Sequence, residues 1–505
     1  MVRKDNFSEK RRTARTNAGS LRPTRRTFVK AAGVGTAGLA LGGLAGSAAA
    51  VDNPTPRLHT DGKWIVTEDG ERVKLRGLSP ASLDYMQEGY YPRTQREVLE
   101  HATDGEQWYP NTVRLPIVEN AVHEQGPAYV VDELLRPAVD LLADRGVYAM
   151  IDFHLIRPYV DVLNQAEEMV EDGWADSLDG LGFDPWVGTD ELLREFWGAV
   201  APAFADDENV LFELYNEPTL PVAWSEYGEY GPEVGTKEDE WMLWRDTAQS
   251  WVDLIREEAP ETPIVIGSPD WTSRTKFAAE YPFDGENLIY AGHIYPDNGL
   301  PYDTLERGEG DDAYEVGPFD PEYGAPAEDV PVVCTEFGWD PAEEFRESVE
   351  FGTTSEWGEP VREWMESYEN MGWIAWCFDD TWAPTFFDSP GDGAGEPWEL
   401  KDDPEQMGWF VRQWLEETKD DMIVGEDGDE NGSDWIGIGD YEARDTTGDG
   451  LYNDVDGDGQ TTHADVDAFY EHLESDGVQN NPDAFDFDEN GRVGFADVLD
   501  LLRRI

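Results

Sequence analysis

Lysine is nearly missing from this sequence: nine residues in 505, beside 28 arginines. Against 37 basic residues stand 109 acidic ones, a formal charge of −72. A chain so short of cations repels phosphate backbones, so nucleic-acid binding is excluded as its general role. Cysteine is almost absent too. Cys334 and Cys377 are the only two, too few for a disulfide framework. Both fall in expected neighbouring strands. Cys334 is placed facing inward, two residues before an inward Glu336, and Cys377 outward beside an inward Trp376, so two buried free thiols are expected. Beyond residue 50 no apolar run is long enough to span a bilayer, so the mature chain is expected to have no membrane span.

An acidic excess alone would point to disorder. Here 39% of residues are hydrophobic and 20 are tryptophan, which calls for a folded core under an acidic coat. Such a coat stays hydrated when salt cuts the Debye length to about 3 Å at 1 M, so adaptation to high salt is expected.

The first 50 residues reverse the pattern, with ten basic residues and two acidic. Thr24-Arg25-Arg26-Thr27-Phe28-Val29-Lys30 precedes a Gly/Ala/Leu run over 31–46 and then Ser47-Ala48-Ala49-Ala50. Basic, apolar and small-residue regions in that order make a cleavable signal. The paired arginines resemble a twin-arginine export signal, so secretion is expected. Four segments follow: a signal over 1–50, a large domain over 51–418, an acidic linker over 419–440 and a small domain over 441–505.

The large domain reads as alternating strands and helices. Residues 57–75 form an expected hairpin closing one end. Eight β-like runs follow at 72–76, 112–117, 147–154, 210–217, 263–268, 288–295, 331–336 and 373–378. Amphipathic stretches such as 131–144, 191–205, 241–258 and 361–370 lie between them. Near-continuous apolar strands covered by helices over this length predict a (β/α)8 TIM barrel. Polar residues gather at one end of successive runs. They are Arg114, His154, Asn216 with Glu217, Trp271, His293 with Tyr295, Glu336 and Trp376. In a barrel of this kind that end carries the chemistry. Glu217 and Glu336, on the tips of two strands, are the pair that a retaining glycosidase needs. Trp271, Trp339 and Trp382 are expected in a cleft, where aromatic faces stack on sugar rings.

The ordered set Val113-Arg114-Leu115-Pro116, Ile151-Asp152-Phe153-His154, Asn216-Glu217-Pro218, His293-Ile294-Tyr295, Thr335-Glu336-Phe337-Gly338 and Trp376 resembles glycoside hydrolase family 5. The resemblance implies Glu217 as general acid/base and Glu336 as nucleophile. It implies that Arg114 and Tyr295 hydrogen-bond the nucleophile and that His293 helps the acid/base hold its proton. Asn216 and His154 would contact the sugar, over a floor of Trp376. It implies a β-glucan or related polysaccharide as substrate and no catalytic cofactor. Acidic insertions over 160–189 and 300–329 depart from the family, so cellulose, mannan and mixed-linkage glucan all remain open. A non-catalytic carbohydrate-binding or scaffold protein is the alternative from another class.

The small domain repeats a calcium-loop pattern. Asp454, Asp456, Asp458, Gln460 and Asp465 stand at positions 1, 3, 5, 7 and 12 of a loop with Gly459 at 6. Asp486, Asp488, Asn490, Arg492 and Asp497 repeat the spacing 32 residues on, with Gly491 at 6. Position 7 donates a backbone carbonyl, which admits Gln460 and Arg492. Helical stretches over 464–473 and 495–502 follow. The duplication resembles a dockerin, an α-helical calcium-loop domain, which implies Ca2+ and a cohesin-type scaffold or cell-surface partner.

Overall fold

A computed structural model describes two compact units, residues 1–425 and 426–505. The residues it describes are 55–87, 93–160, 162–171, 175–222, 234–307, 314–346, 348–388, 398–421, 423–424, 436–438, 441–443 and most of 451–504. The expected signal over 1–50 lies outside them.

Eight parallel strands close a barrel in chain order: β1 (Arg76–Ser79), β2 (Thr112–Ile117), β3 (Tyr148–Phe153), β4 (Val210–Glu213), β5 (Ile264–Ile266), β6 (Leu288–Ile294), β7 (Val332–Phe337) and β8 (Met371–Trp376). The helices wrapping it include α1 (Gln95–Ala102), α2 (Arg136–Asp144), α3 (Thr189–Phe204), α4 (Lys237–Glu258), α5 (Glu359–Ser367) and α6 (Met407–Glu417). Among the described residues no helix is long and apolar enough to cross a membrane.

Alternation along the strands divides the barrel into two levels. Tyr148, Met150, Leu211, Val265, Ile289, Ala291, Val333 and Ile374 form one buried apolar cluster with Leu58 and Ile65 of the N-terminal hairpin. That cluster is the plugged lower interior. Residues of opposite phase, such as Val113, Leu115, Ala149, Ile151 and Phe212, pack instead in the layer shared with the helices. Two positions further up the inward faces, the apolar side chains give way to ionisable ones.

The first barrel strand begins four residues later than the sequence indicates. Arg72–Val73 belongs instead to a four-stranded sheet, pairing with Trp64–Thr67 and with Ile423–Val424. The second partnership joins residues 350 apart, which local pattern cannot reveal. It also places a strand inside the expected linker. The insertions carry structure as well: a helix at Val162–Glu171, and a hairpin of Leu305–Arg307 with Tyr314–Val316.

Beneath the barrel, Glu366 accepts hydrogen bonds from Lys74 Nζ (2.9 Å), Arg76 Nη2 (2.6 Å), Trp373 Nε1 (3.1 Å) and Trp414 Nε1 (2.8 Å). Burial opposes its charge, but Arg76 and Lys74 outweigh it and hold the carboxyl at about 2. A depressed carboxylate stabilises the fold above its unfolded value and loses that contribution as pH falls. Glu366→Gln is therefore expected to cost about 3 kcal/mol at pH 7 in denaturant unfolding. The difference from wild type should shrink between about pH 4.5 and 2; a gap that is constant with pH would refute the ionic origin.

The second unit holds a short hairpin (Ile436–Ile438 with Tyr441–Ala443) and helices α7 (His463–His472) and α8 (Phe495–Arg504). These surround a core that includes Val455, Val466, Phe469, Phe485, Phe487, Val498 and Leu501.

Candidate active site

Arg114, from β2, is the hub. It is fully buried and reaches four acceptors: Glu213 Oε2 from Nε at 2.5 Å, Asn216 Oδ1 from Nη2 at 2.6 Å, Asp152 Oδ2 from Nη2 at 3.0 Å, and Glu336 Oε2 from Nη1 at 3.2 Å. Burial disfavours its charge, yet Asp152, Glu213 and Glu336 more than compensate and raise its proton affinity. The carboxyls bear the converse. Burial lifts Asp152 and Glu213 to about 7 each, despite Arg114. Asp152 Oδ1 and Glu213 Oε1 lie buried with no hydrogen-bond partner, as suits carboxyls that keep a proton through part of the working pH range.

Glu336 reaches the interior through a β-bulge. On β6, Gly292 pairs with Cys334 but the next residue, His293, pairs with Glu336, so Thr335 is the extra residue. Without that slip Glu336 would share the outward phase of Val332 and Cys334. The slip corrects the expected orientation of Cys334, which packs outward with the helix layer. Cys334 and Cys377 are both buried and free. Tyr295 donates its hydroxyl to Glu336 Oε1. Its own proton is held more tightly by burial and by Glu336.

Glu217 does not sit on β4, which ends at Glu213. It opens a two-residue strand with Pro218 that pairs beside Ile156–Arg157, and Glu217 N donates to Leu155 O at 2.9 Å. Its neighbour Asn216 is fixed from the turn after β5, where Thr272 Oγ1 donates to Asn216 O at 2.6 Å. Gly267 allows that approach, since a Cβ there would lie 2.7 Å from Tyr215 O.

His293 joins the two halves. Nδ1 lies 3.1 Å from Glu217 Oε1 and 3.8 Å from Glu336 Oε2, and Nε2 lies 3.1 Å from Thr335 Oγ1. Burial lowers its proton affinity to about 4, so the ring is neutral near pH 7. Single ligand atoms of Glu217, His293 and Glu336 all lie within 4.8 Å of one another. The distance suits a cation, but Arg114 and Tyr295 already occupy Glu336 with donors.

His154 places Nδ1 2.7 Å from Asp152 Oδ2 and stacks on Trp376, with ring centroids 5.2 Å apart and planes 11° apart. Burial, reinforced by Arg114, lowers His154 to about 4. Trp382 lies 5.7 Å from Trp376 and 5.4 Å from Tyr85. The structure thus brings Arg114, His154, Asn216, Glu217, His293, Tyr295, Glu336 and Trp376 together at one end of the barrel.

Trp271 and Trp339 depart from the expected cleft positions. Trp271 follows Asp270 in a turn where both adopt left-handed backbone (φ 53° and 58°), pinned by an Asp270–Arg274 ion pair at 2.5 Å. The turn buries the indole among Ala166, Met169, Phe183, Leu220 and Val222. Trp339 packs in the core against Trp357 and Phe410 and donates Nε1 to Glu405 O. Asp152 and Glu213 were missed as site residues, although both follow the inward phase of Met150 and Leu211.

Two carboxylates at close range, one held by a cation and a phenol and the other by a neutral imidazole, define a barrel of the glycoside-cleaving class. The sequence profile described as Cellulase (glycosyl hydrolase family 5) matches residues 66–381, more than half of the chain, and the chain belongs to that family. It is similar to an endoglucanase of Halalkalibacter akibai (24% identity, covering 47% of this chain and 26% of that one). It is also similar to endoglucanase C of Evansella cellulosilytica (28%, covering 47% and 26%) and to the cellulase CelDZ1 of a Thermoanaerobacterium (21%, covering 66% and 75%). The chain spans about a quarter of the length of the first two of these relatives. A β-glucanase of Saccharophagus degradans, solved in complex with cellotetraose, shares the fold at a TM-score of 0.56 and 19% identity, covering 73% of this chain and 95% of that one.

Proposed function

We propose that this chain is a retaining endo-β-1,4-glucanase, and that Glu217 and Glu336 are its acid/base and nucleophile. The observation that carries the reading is their proximity: one ligand atom of each lies within 4.8 Å of the other, which favours the narrow carboxyl spacing of a retaining pair over the wider spacing of an inverting one. Glu336 attacks the anomeric carbon while Glu217 gives its proton to the departing oxygen, leaving a glycosyl ester on Glu336. Glu217 then takes a proton from water, whose oxygen displaces Glu336 and restores it. Arg114 and Tyr295 donate to the two oxygens of Glu336 and hold it in place, and His293 caps one oxygen of Glu217. His154 and Asn216 bind sugar hydroxyls above Trp376. The relatives' names and the cellotetraose complex support a β-1,4-glucan as substrate.

The test is a panel of soluble cellulose, mannan and mixed-linkage glucan assayed from low to molar salt, with viscosity and reducing ends followed together. A fast viscosity loss on soluble cellulose is expected, with activity sustained in molar salt as the acidic coat requires. Cleavage of mannan alone would change the substrate. Inactivity on every glycan by a folded protein would favour the binding-protein reading.

Secretion by the twin-arginine route belongs to this reading, supported by Arg25-Arg26 and the small residues before 50. So does a dockerin-like calcium domain over 441–505 that docks to a cohesin-type scaffold. Seven of the ten loop residues, Asp454, Asp456, Asp458, Gln460, Asp486, Asp488 and Asn490, lie outside the described residues. The remaining three are described. Asp465 and Asp497 are buried at the start of α7 and α8, and Asp465 Oδ1 turns back to accept from Val455 N at 2.7 Å. Arg492 is exposed. Calcium would neutralise the clustered carboxylates, so the full chain treated with chelator should lose a separate thermal transition that calcium restores. Identical melting curves with and without calcium would remove the assignment.

A further inference from the structure

We propose that Thr335 is a positioning residue that fixes the tautomer of His293, and so decides which oxygen of Glu217 carries the catalytic proton. The proposal rests on the roles given to Glu217 and Glu336 above.

It starts from the bulge in β7. Regular alternation could bring Thr335 or Glu336 into the barrel, not both. The extra residue turns in the pair. Bulges commonly re-aim side chains beside active sites, and here the second beneficiary is a hydroxyl. Thr335 is completely buried, His293 and Glu217 nearly so. The three form a line: Thr335 Oγ1 to His293 Nε2 at 3.1 Å, then His293 Nδ1 to Glu217 Oε1 at 3.1 Å.

A neutral imidazole has one donor nitrogen and one acceptor. Two arrangements satisfy this line. In one, Nε2–H donates to Thr335 and Nδ1 accepts, which demands a proton on Glu217 Oε1. Once Glu217 has given up its proton, that arrangement sets a nitrogen lone pair against a carboxylate oxygen. In the other, Thr335 donates to Nε2 and Nδ1–H donates to Oε1. This contact is favourable whether Glu217 is an acid or a carboxylate, so it survives both halves of the reaction. It also fills Oε1 and leaves the proton on Oε2. From Oε2 the proton passes to the departing oxygen as the glycosidic C–O bond breaks and Glu336 forms its own. A hydroxyl can serve as the required donor to Nε2; an apolar side chain of the same shape cannot.

The test uses the full-length enzyme and compares kcat/KM on two substrates. An unactivated cello-oligosaccharide needs a proton on its leaving group, whereas a dinitrophenyl β-cellobioside needs none. Thr335→Val is expected to lose about ten- to thirtyfold on the first and less than about threefold on the second. Thr335→Ser should recover most of the loss. Independently of any Thr335 variant, 15N spectra of histidine-labelled wild-type enzyme, assigned with His293→Gln, should show the His293 proton on Nδ1. A proton on Nε2, or equal losses on both substrates, or no loss in Thr335→Val, overturns the proposal. Glu217→Gln on the same two substrates separates the levels. If it shows the leaving-group bias and Thr335→Val does not, only the tautomer proposal fails. If wild type cleaves neither substrate, the underlying function fails with it.

Discussion

Glu336→Gln is expected to abolish turnover, by at least about 10⁴-fold in kcat, on every glycoside tested. The amide matches the carboxylate in shape but is a poor nucleophile toward the anomeric carbon, and no neighbour can replace it. Asp152 and Glu213 are turned toward Arg114, and Glu217 stands on the opposite side of the chemistry. The loss should come without unfolding. Three buried carboxyls share one guanidinium here, so removing one negative charge relieves crowding, and the melting temperature should hold or rise. Glu217→Gln should differ in kind. With an activated leaving group the first displacement needs no proton, so this variant should form the glycosyl ester and then stall, because no base draws water in. Intact-mass spectrometry after mixing with a dinitrophenyl cellobioside should show the adduct on Glu217→Gln and none on Glu336→Gln. An adduct on Glu336→Gln, or activity above about 1% of wild type, would move the nucleophile to another residue.

Much of this arrangement was legible before any coordinates, for a specific reason. A barrel strand repeats every two residues, and the phase of an apolar run carries into whatever follows it. Hence His293 and Trp376 could be placed at strand tips from their spacing alone, whereas Arg114 lies in the middle of β2. The same rule applied inside the runs would have delivered Asp152 and Glu213, which continue the phase of Met150 and Leu211. Cys334 shows the opposite failure. Two-residue alternation does not carry across Thr335, where a bulge adds a residue and inverts the side chain. Nothing in Val333-Cys334-Thr335-Glu336 marks a bulge, because the irregularity is set by pairing with β6 and β8. Trp271 failed through its backbone. Position after a strand suggested the cleft, but left-handed conformation at Asp270 and Trp271 turned the ring into a satellite core. The strand of Ile423–Val424 depended on a partner 350 residues away. Local pattern thus gave the order of elements, and long-range pairing set the exceptions.

Arg114→Met should have the second largest effect, and its signature lies in pH. The guanidinium is the only cation touching Glu213, Asp152 and Glu336 among the described contacts. Without it, the protonated form of each carboxyl gains on the ionised form. The nucleophile must be ionised to act, so the acid limb of the kcat/KM profile should move up by more than one pH unit, with activity near neutrality down about 10³-fold. Raising the pH should recover part of that loss. Stability follows from linkage. In the wild type, Asp152 and Glu213 at about 7 lie above their unfolded values. The folded state therefore holds protons that the unfolded chain has released, and these groups lower stability as pH rises from about 4 to 7. His154 and His293 at about 4 lie below theirs, so the unfolded chain binds the extra protons and stability rises with pH from about 4 to 6.5. The two pairs oppose each other, and the wild-type site contributes little net slope in that window. Arg114→Met breaks the balance on one side only. Its carboxyls titrate higher still, so the penalty extends above pH 7 and reaches about 3–5 kcal/mol where all would be ionised. Molar salt should not rescue it, because buried charges are poorly screened. Urea unfolding at pH 5, 7 and 9 gives the check. A deficit that grows with pH fits an electrostatic hub; a deficit equal at all three, with the acid limb unmoved, would reduce Arg114 to a packing residue.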